Sequence, residues 1–396
     1  MITSERIHDA AAELHASAVE IRRHLHRNPE LSFEESETAR FISGELETAG
    51  ISHETGVGGH GIVATIEGTG RRRTVALRAD MDALAIQEMS EVEYRSQTAG
   101  VMHACGHDGH AASLLTAGKI LQGLGPELPG NVKLIIQPAE ERAPGGASAM
   151  IADGVLENPA VDSVIGQHVN PELPVGTVGF RPGLFMGSVD DVYITVHGQG
   201  GHAAKPHQGV DPVAIASTLV VALQQVVSRN SDPIAPSVLS FGYINGAGTA
   251  NIIPNTVELA GTFRTFDPKW RDDAVARIEH TARELVHSLG GRAEIRMARG
   301  YPSLSNDPAL TERARLRAIQ YVGKDNVVEL PPALWGEDFA YFANARPSCF
   351  CNLGVRNEAR GITHPVHSPQ FNLDEDALVI GAGLLAWIAL GELESP

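Results

Sequence analysis

Apolar residues in the first part of the chain recur with two spacings, which predict helices and buried strands. Ile7, Leu14, Ile21 and Leu25 lie near one face of an opening helix, and a second helix is predicted over 36–49. Short apolar runs bounded by glycine or proline predict strands at GIVATIEG, TVALRAD, NVKLIIQP and VDSVIGQHV. Between these runs, HAASLLTAGKILQGL has helical spacing. Alternating strands and helices predict an α/β fold, a mostly parallel sheet with helices on both faces.

The pattern changes after about Gly187. The segment that follows predicts, in order, DVYITVHGQ as a strand, DPVAIASTLVVALQQVVSR as a helix, SVLSFGYINGAG and TVELAGTFRTF as strands, DDAVARIEHTARELVHSLG as a helix and RAEIRMAR as a strand. This βαββαβ order is that of a ferredoxin-like α+β layer. Because the α/β pattern resumes after Tyr301, we predict a discontinuous larger domain of 1–186 and 300–396. Residues 187–299 form an inserted domain, expected to act as a lid and in homodimer or dimer-based oligomer formation.

Composition and charge narrow the classes of function. The chain has 396 residues, a formal net charge of −17 and a pI near 5.4. A nucleic-acid partner is therefore not expected, because phosphate binding favours a basic face. The three cysteines, Cys105, Cys349 and Cys351, do not suit a disulfide framework, which predicts a reducing, cytoplasmic location. We also expect neither a signal peptide nor a segment that is long and apolar enough to span a membrane.

Thiol, imidazole and carboxylate side chains cluster near predicted strand ends. In chain order they are Asp80 and Asp82 in RADMD, His103, Cys105, His107, Asp108 and His110 in MHACGHDGH, Glu140 and Glu141 in QPAEE, His168 in GQHV, and His364 and His367 in HPVHSP. Any one of these alone is more typical of a packed or solvated residue. Open α/β sheets bind ligands at the carboxyl ends of their strands, and a metal satisfies several buried polar groups at once. The combination therefore predicts a metal centre.

The order of the motifs resembles that of one metallopeptidase family. The motifs HRNPELSFEE, LRADMDAL, MHACGHDGHAA, QPAEE, GGHAAKPH, GTFRTF, GEDFAYF and HSPQFNLDE extend over nearly the whole chain. They resemble the family of aminoacylases, glutamate carboxypeptidase-like enzymes, hippurate hydrolases and auxin-conjugate amidohydrolases. MHACGHDGH with QPAEE is most similar to the branch of hippurate and indole-acetyl-amino-acid hydrolases.

The resemblance implies a site with two divalent metal ions, with zinc expected and manganese, cobalt or nickel as alternatives. The positions that match the metal ligands of the family are Cys105, His107, Glu141, His168 and His367. Glu140 matches the catalytic base. Other branches carry a His-x-Asp motif where this chain has Asp80 and Asp82, so these two carboxylates are expected to orient the ligands instead of binding metal.

The resemblance also implies the reaction and its substrate class. We expect metal-activated water to hydrolyse the amide bond of N-acyl-amino acids, such as N-acetyl or N-benzoyl compounds, or of small peptides with a free carboxylate. His202 resembles the family residue that stabilises the oxyanion, which in dimeric relatives comes from the partner subunit. Arg264 is a candidate for binding the substrate carboxylate, and Asn251 for donating to the same carboxylate or to the scissile carbonyl. Glu337 and Asp338 are expected to brace the site.

Two alternatives stay open at this point. Cys105 could be the nucleophile of a thiol hydrolase, paired with a histidine that the fold brings to it. The chain could also be a peptide- or metal-binding protein that has this fold but no catalytic activity. The full set of candidate ligands together with Glu140 favours the metal-dependent hydrolase over both.

Overall fold

The computed structural model of the protein describes residues 2–69 and 73–395. The helices in this part of the chain are α1 (Ser4–Glu13), α2 (His15–Arg27), α3 (Ser36–Thr48), α4 (His107–Leu124), α5 (Gly146–Ala152), α6 (Pro212–Gln225), α7 (Pro268–Ser288), α8 (Pro308–Val322), α9 (Ala340–Ala345) and α10 (Asp376–Glu394). The strands are β1 (Ser52–Val57), β2 (Gly61–Ile66), β3 (Thr74–Asp80), β4 (Asn131–Gln137), β5 (Ser163–Pro174), β6 (Val178–Phe180), β7 (Gly183–Met186), β8 (Ser188–His197), β9 (Gly201–His202), β10 (Ser237–Asn245), β11 (Ile252–Ile253), β12 (Thr256–Thr265), β13 (Arg292–Arg299), β14 (Leu304–Asn306), β15 (Val327–Glu329) and β16 (Ser348–Arg356).

The larger sheet has eight strands in the order β1-β2-β4-β3-β5-β16-β6-β15. Its central pairs, β4 with β3, β3 with β5 and β5 with β16, are parallel, as is β15 with β6. The remaining pairs lie towards the two edges and are antiparallel. The predicted α/β class with a mostly parallel sheet is confirmed. The carboxyl ends of β3 and β4 therefore meet at one edge of this sheet.

Two apolar helices form the core next to this sheet. α4 and α10 pack against each other and against β3 and β5. Both are buried on nearly all sides, which is why alanine, leucine and isoleucine recur around α10 without a polar face. The predicted opening helix is in fact two helices, because the backbone N–H of Leu14 bonds back to Ala11 and Ala12 and ends α1 there.

The smaller sheet has four antiparallel strands in the order β10-β12-β8-β13. With α6 and α7, its strands follow the chain as βαββαβ, the order expected from the sequence. Val192, Ile194 and Val196 of β8 alternate with polar residues and pack with apolar residues of α6 and α7 in a separate core. The alternation has the two-residue period of a strand with one buried face.

The chain divides into two compact units. The first comprises Met1–Gly183, Ser305–Pro331 and Asp338–Pro396, and the second Leu184–Leu304 and Pro332–Glu337. The eight-stranded sheet belongs to the first unit and the four-stranded sheet to the second. The domain limits drawn from the sequence, 187–299 within 1–186 and 300–396, stay a prediction, as does the role of the inserted domain as a lid or dimerisation domain.

Within the described residues, two helical segments are long and apolar enough to cross a membrane, so the expectation that the chain has none was wrong on that criterion. The segment Asp376–Glu394 is 78% buried inside the protein, whereas Pro212–Asn230 is only 33% buried. The first is the core helix α10, whose apolar surface is covered by α4 and α8. A core helix of a folded protein passes the same test of length and composition.

A buried ion pair holds the second unit together, and we expect its loss to be strongly destabilising. Arg271 of α7 donates to both carboxylate oxygens of Asp190 of β8 at 2.7 Å, and Asp190 is fully buried. Arg271→Met would leave that carboxylate buried without its cation, so we expect the free energy of unfolding to fall by about 3–5 kcal/mol. Urea denaturation followed by circular dichroism measures this change.

The matched control uses an ion pair on the surface of the same unit. Arg292 contacts Glu294 at 2.7 Å, but both side chains are more than half exposed. Arg292→Met should leave the denaturation midpoint almost unchanged, because solvent screens exposed pairs. Equal midpoint shifts in the two variants would show that burial does not determine the contribution of the Arg271 pair.

Candidate metal centre

Five side chains that the sequence singled out meet in one cluster in the first unit. Cys105 Sγ lies 3.5 Å from His168 Nε2. Glu141 Oε1 lies 3.8 Å from His107 Nε2 and 3.3 Å from His367 Nε2. The cluster contains three overlapping groups, and within each group the ligand atoms lie no more than 4.8 Å apart. The groups are Cys105, His107 and His168; Cys105, Glu141 and His367; and His107, Glu140 and Glu141. Because the groups overlap but are not identical, they offer ligands for more than one ion.

The loop before α4 positions the first two side chains. Gly106 has φ of +84°, and a Cβ there would lie 2.5 Å from Val169 Cγ2. Only glycine combines this left-handed backbone with so close an approach to β5. The turn places Cys105 before the helix and His107 as its first residue. The backbone N–H of His367 donates to Ala104 O at 2.8 Å, which ties the loop carrying His367 to the same turn.

Strand ends position Asp80, Glu140 and Glu141, whereas His168 does not lie at the strand end where the sequence predicted it. Asp80 is the last residue of β3, and Glu140 and Glu141 follow β4 after two residues. His168 was expected near a strand end, but β5 continues to Pro174. It does so because β16 pairs with it beyond His168, up to Arg356 opposite Pro174. His168 therefore lies within the sheet, beside the ends of the neighbouring strands.

Hydrogen bonds orient both inner histidines towards the cluster. His107 Nδ1 donates to Asp82 Oδ1 at 3.1 Å, and His168 Nδ1 donates to the carbonyl oxygen of Val169 at 2.7 Å. In each ring this leaves the Nε2 nitrogen facing the other candidate ligands. His107 Nε2 is buried and has no hydrogen-bond partner among the described residues, and Glu141 Oε1 faces it at 3.8 Å. A buried polar atom without a partner is costly, and a cation between these two atoms removes that cost.

The electrostatics of the cluster also suit a cation. Burial raises the pKa of the Cys105 thiol well above its usual value, and the carboxylates of Glu141, Glu140 and Asp80 raise it further. Burial alone would lower the pKa of His107, but Asp80, Asp82 and Glu141 outweigh it and raise that pKa to about 10. Both shifts reflect an excess of negative charge in a buried site. Divalent cations would balance this charge and favour the thiolate, so the residues present fit a metal centre.

Asp82 connects two of the candidate ligands. Besides its contact with His107, its Oδ2 accepts the backbone N–H of Glu141 at 2.9 Å and the hydroxyl of Ser32 at 2.7 Å. Asp82 is fully buried, and His107 is the main group that lowers its pKa against the effect of burial. One carboxylate therefore orients both the imidazole of His107 and the backbone that carries Glu141.

Asp80 lies in a buried chain of charged and polar groups that the sequence analysis did not find. Its Oδ2 accepts from Arg78 Nη1 at 2.7 Å, and its Oδ1 accepts from His110 Nδ1 at 2.6 Å. His110 Nε2 in turn accepts the backbone N–H of Val169 at 2.8 Å, and Arg78 also donates to Asp338 at 2.9 Å. Burial would raise the pKa of Asp80, but His107, Arg78 and His110 hold it well below its usual value.

Part of this buried chain of polar groups could have been recognised from residue spacing in the sequence. His110 follows His107 by three residues, which places both on one face of α4. Arg78 and Asp80 are two residues apart on β3 and therefore share a face of that strand. The sequence analysis left His110 without a role and did not consider Arg78, because their partners lie on other elements. Asp338 does lie beside this chain, in line with its expected bracing contact.

The candidate substrate groups lie in the second unit, at two places. His202 and Asn251 are neighbours: β9 pairs with β11, and the N–H of Ala203 donates to Asn251 O at 3.0 Å. Arg264 lies near the far end of β12, opposite Val189 and Val238, and is half-buried. The eight residue-to-residue steps from Thr256 to Arg264 extend over about 26 Å of strand. The assignment of Asn251 and Arg264 to substrate binding stays a prediction, and the two residues lie at different places in this unit.

Comparisons with known proteins agree with this site. Residues 76–390 match the family described as peptidase family M20/M25/M40. The chain is 41% identical to the N-acetyl-L-cysteine deacetylase of Bacillus subtilis, over 92% of this chain and 86% of that protein. It is 40% identical to the IAA-amino acid hydrolase ILR1-like 4 of Arabidopsis thaliana, over 94% of this chain and 84% of that protein. The structure is also similar to the crystal structure of the Bacillus subtilis YXEP protein, a dinuclear metal binding peptidase from the M20 family. The two superimpose with a TM-score of 0.83 at 33% sequence identity, over 97% of this chain and 100% of that chain. The chain therefore belongs to peptidase family M20/M25/M40, as a metal-dependent amidohydrolase or peptidase.

Proposed function

We propose that the protein hydrolyses the amide bond of N-acyl-amino acids or small peptides with a free carboxylate. The observation that carries this proposal is the buried cluster of Cys105, His107, Glu141, His168 and His367 with the Glu140 carboxylate beside it. The names of two relatives support the substrate class, since one is an N-acetyl-L-cysteine deacetylase and the other an IAA-amino acid hydrolase. The acyl group is a matter for experiment.

The five clustered side chains would hold two divalent ions, and their mixture of thiolate, imidazole and carboxylate suits zinc. Bound there, the ions would polarise the scissile carbonyl and ease the deprotonation of water. Glu140 accepts the proton of the attacking water and returns it to the amine that leaves. Asp82 and Asp80 hold the imidazole groups and the Glu141 backbone in place during this exchange.

We assign the oxyanion contact to His202 and the carboxylate contact to Arg264, from two copies of the chain. An acyl-amino acid is much shorter than the 26 Å or so of strand that separates Arg264 from the end of the sheet beside His202. This separation along β12 supports taking the two groups from different copies of the second unit. A symmetric homodimer can place both groups on one substrate, because each site then takes His202 and Asn251 from the partner and Arg264 from its own chain.

The surface of the second unit supports the homodimer. Val221 on α6 is 71% exposed and Ile244 on β10 is 56% exposed, and α6 packs beside β10. β10 is an edge strand whose only partner in the described sheet is β12. An exposed edge with apolar neighbours is a surface that a second copy would cover. Coverage by a second copy would also explain why the segment Pro212–Asn230, which contains α6, is only 33% buried within one chain.

A thiol hydrolase is the second candidate, because Cys105 Sγ lies within 3.5 Å of His168 Nε2. The charges around the pair argue against it. Burial and three carboxylates raise the pKa of Cys105, and burial lowers the pKa of His168. Both shifts disfavour the thiolate–imidazolium pair that such an enzyme uses. Inactivation by thiol alkylation combined with resistance to chelators would favour this candidate over the metal-dependent reaction.

The location in the cytoplasm stays a prediction. All three cysteines are unpaired and buried, which suits a reducing compartment. We continue to expect a small-molecule substrate and neither nucleic acid nor membrane as a partner, since the net charge is −17.

The first test is release of free amino acid from a panel of N-acetyl, N-benzoyl and dipeptide substrates. We expect the activity to disappear after chelation and to return when zinc or manganese is added, because the bound ions would polarise the scissile carbonyl and ease the deprotonation of water. The control is a circular dichroism spectrum of the chelated protein, which shows that it is still folded. Activity that survives complete metal removal would contradict the proposal.

A further inference from the structure

The turn that carries Glu140 and Glu141 has an unfavourable backbone conformation. Ala139, which precedes them, has φ of +54°. An L-residue with a Cβ adopts this left-handed conformation rarely, and only where surrounding contacts hold it. The direction in which the Glu140 side chain leaves the backbone depends on this conformation. The contacts of Ala139 are therefore part of the geometry of the site.

Two carboxylates hold the backbone N–H groups of this turn. Glu35 Oε1 accepts the N–H of Ala139 at 2.8 Å, and Asp82 Oδ2 accepts the N–H of Glu141 at 2.9 Å. The carbonyl oxygen of Ala139 accepts the N–H of Gly146 at 3.1 Å. Glu35 thus supplies the contact at the left-handed residue itself, and it does so from the start of α3, 104 residues earlier in the chain.

Glu35 occupies a position that is costly for a carboxyl group. It is fully buried, and its Oε2 has no hydrogen-bond partner among the described residues. Burial, together with the nearby Asp82 carboxylate, raises its pKa to about 7. Burial of a polar group with incomplete hydrogen bonding lowers stability. An apolar side chain of similar length would suit this position better if packing were the only requirement.

The segment before α3 contacts both loops of the site. Ser32 donates to Asp82 at 2.7 Å, and the carbonyl oxygen of Glu30 accepts the N–H of Ala83 at 2.8 Å. The segment 30–35 therefore lies between the loop after β3 and the turn after β4. The side chains of Ser32 and Glu35 in this segment are buried and point to groups that orient Glu140, Glu141 and His107.

We propose that Glu35 is a positioning residue, which fixes the direction of the Glu140 carboxylate by accepting the backbone N–H of Ala139. Its effect on turnover rests on the proposed role of Glu140 as the base. Its effect on the turn does not, because the hydrogen bond exists whatever reaction the site performs. The two effects can be measured separately.

The experiment compares Glu35→Gln, which keeps an acceptor oxygen, with Glu35→Met, which keeps the length of the side chain but has no such acceptor. Amide hydrogen exchange of the peptide that contains Ala139 measures the contact directly. We expect exchange there to be at least about tenfold faster in Glu35→Met than in the wild type or Glu35→Gln. We also expect kcat to fall about 10- to 100-fold in Glu35→Met, with KM within about twofold, because small misplacements of a catalytic group slow the chemical step.

The exposed neighbour Glu34 provides the matched control, and Glu34→Met should behave as the wild type. The melting temperature of Glu35→Met should not be lower than that of the wild type. A variant that fails to fold would overturn a positioning role in favour of a structural one. Equal exchange in both Glu35 variants and the wild type, or an equal fall of kcat in both variants, would also overturn the proposal. If the wild type shows no amidase activity, the proposed function fails and the exchange rates alone decide the role of Glu35.

Discussion

Glu140→Gln is expected to abolish measurable turnover while the metal content of the protein stays unchanged. Glu140 is almost fully buried, and its carboxylate lies within 4.8 Å of ligand atoms of His107 and Glu141. Glutamine has the same shape but accepts a proton poorly, so the water is not deprotonated and the departing amine is not protonated. General acid–base help of this kind contributes about 10²–10⁴ in rate. Amino-acid release and metal analysis on the same sample measure the two quantities.

Glu141→Gln is the matched comparison, because it makes the same change one residue further along the turn. Glu141 lies between His107 and His367, so its variant should lose metal as well as activity. Loss of metal from Glu140→Gln would make Glu140 a ligand instead of the base. Retained turnover in Glu140→Gln would remove it from the reaction.

The sequence could predict the composition of the site because the informative residues are close together along the chain. Cys105 and His107 lie in one nine-residue motif, and Glu140 and Glu141 directly follow a buried strand. The ends of parallel strands meet at one edge, so predicted strands were enough to expect a cluster there. The choice of Cys105, His107, Glu141, His168 and His367 as ligands comes from the family resemblance of the motifs, since the strand-end rule alone does not yield His168, which lies inside β5.

The supporting contacts could not be predicted because they depend on tertiary distances. Glu35 and Ala139 are 104 residues apart, and Arg78 and Asp338 are 260 residues apart. No local periodicity connects such pairs. Arg264 and Asn251 show that closeness along the chain does not fix closeness in space, because the extended strand β12 lies between them. Pattern also could not tell α10 from a membrane helix, because only its packing shows that its apolar surface is covered.

His202→Ala is expected to lower kcat by about 10²–10³, the usual effect of removing one donor from a developing oxyanion. His202 is exposed on the short β9, and its Nδ1 accepts the N–H of Ala204 at 3.1 Å. That contact makes Nε2 the protonated nitrogen of the neutral ring, so Nε2 is the donor available to the substrate. His207→Ala, in the same loop and also exposed, is the control and should leave kcat unchanged.

The origin of His202 can be tested by combining two inactive variants in one dimer. Differently tagged His202→Ala and Glu140→Gln chains would be co-expressed, and the mixed dimer purified by both tags. If His202 serves the partner, the chain with intact Glu140 receives its histidine from the other chain, and one of the two sites is complete. The mixed dimer should then have about half the wild-type turnover, since an isologous dimer has two equivalent sites. If His202 serves its own chain, neither site is complete and the mixed dimer is as inactive as its parents. A fully active monomer, measured by light scattering, would equally contradict the two-copy arrangement inferred from the separation of His202 and Arg264.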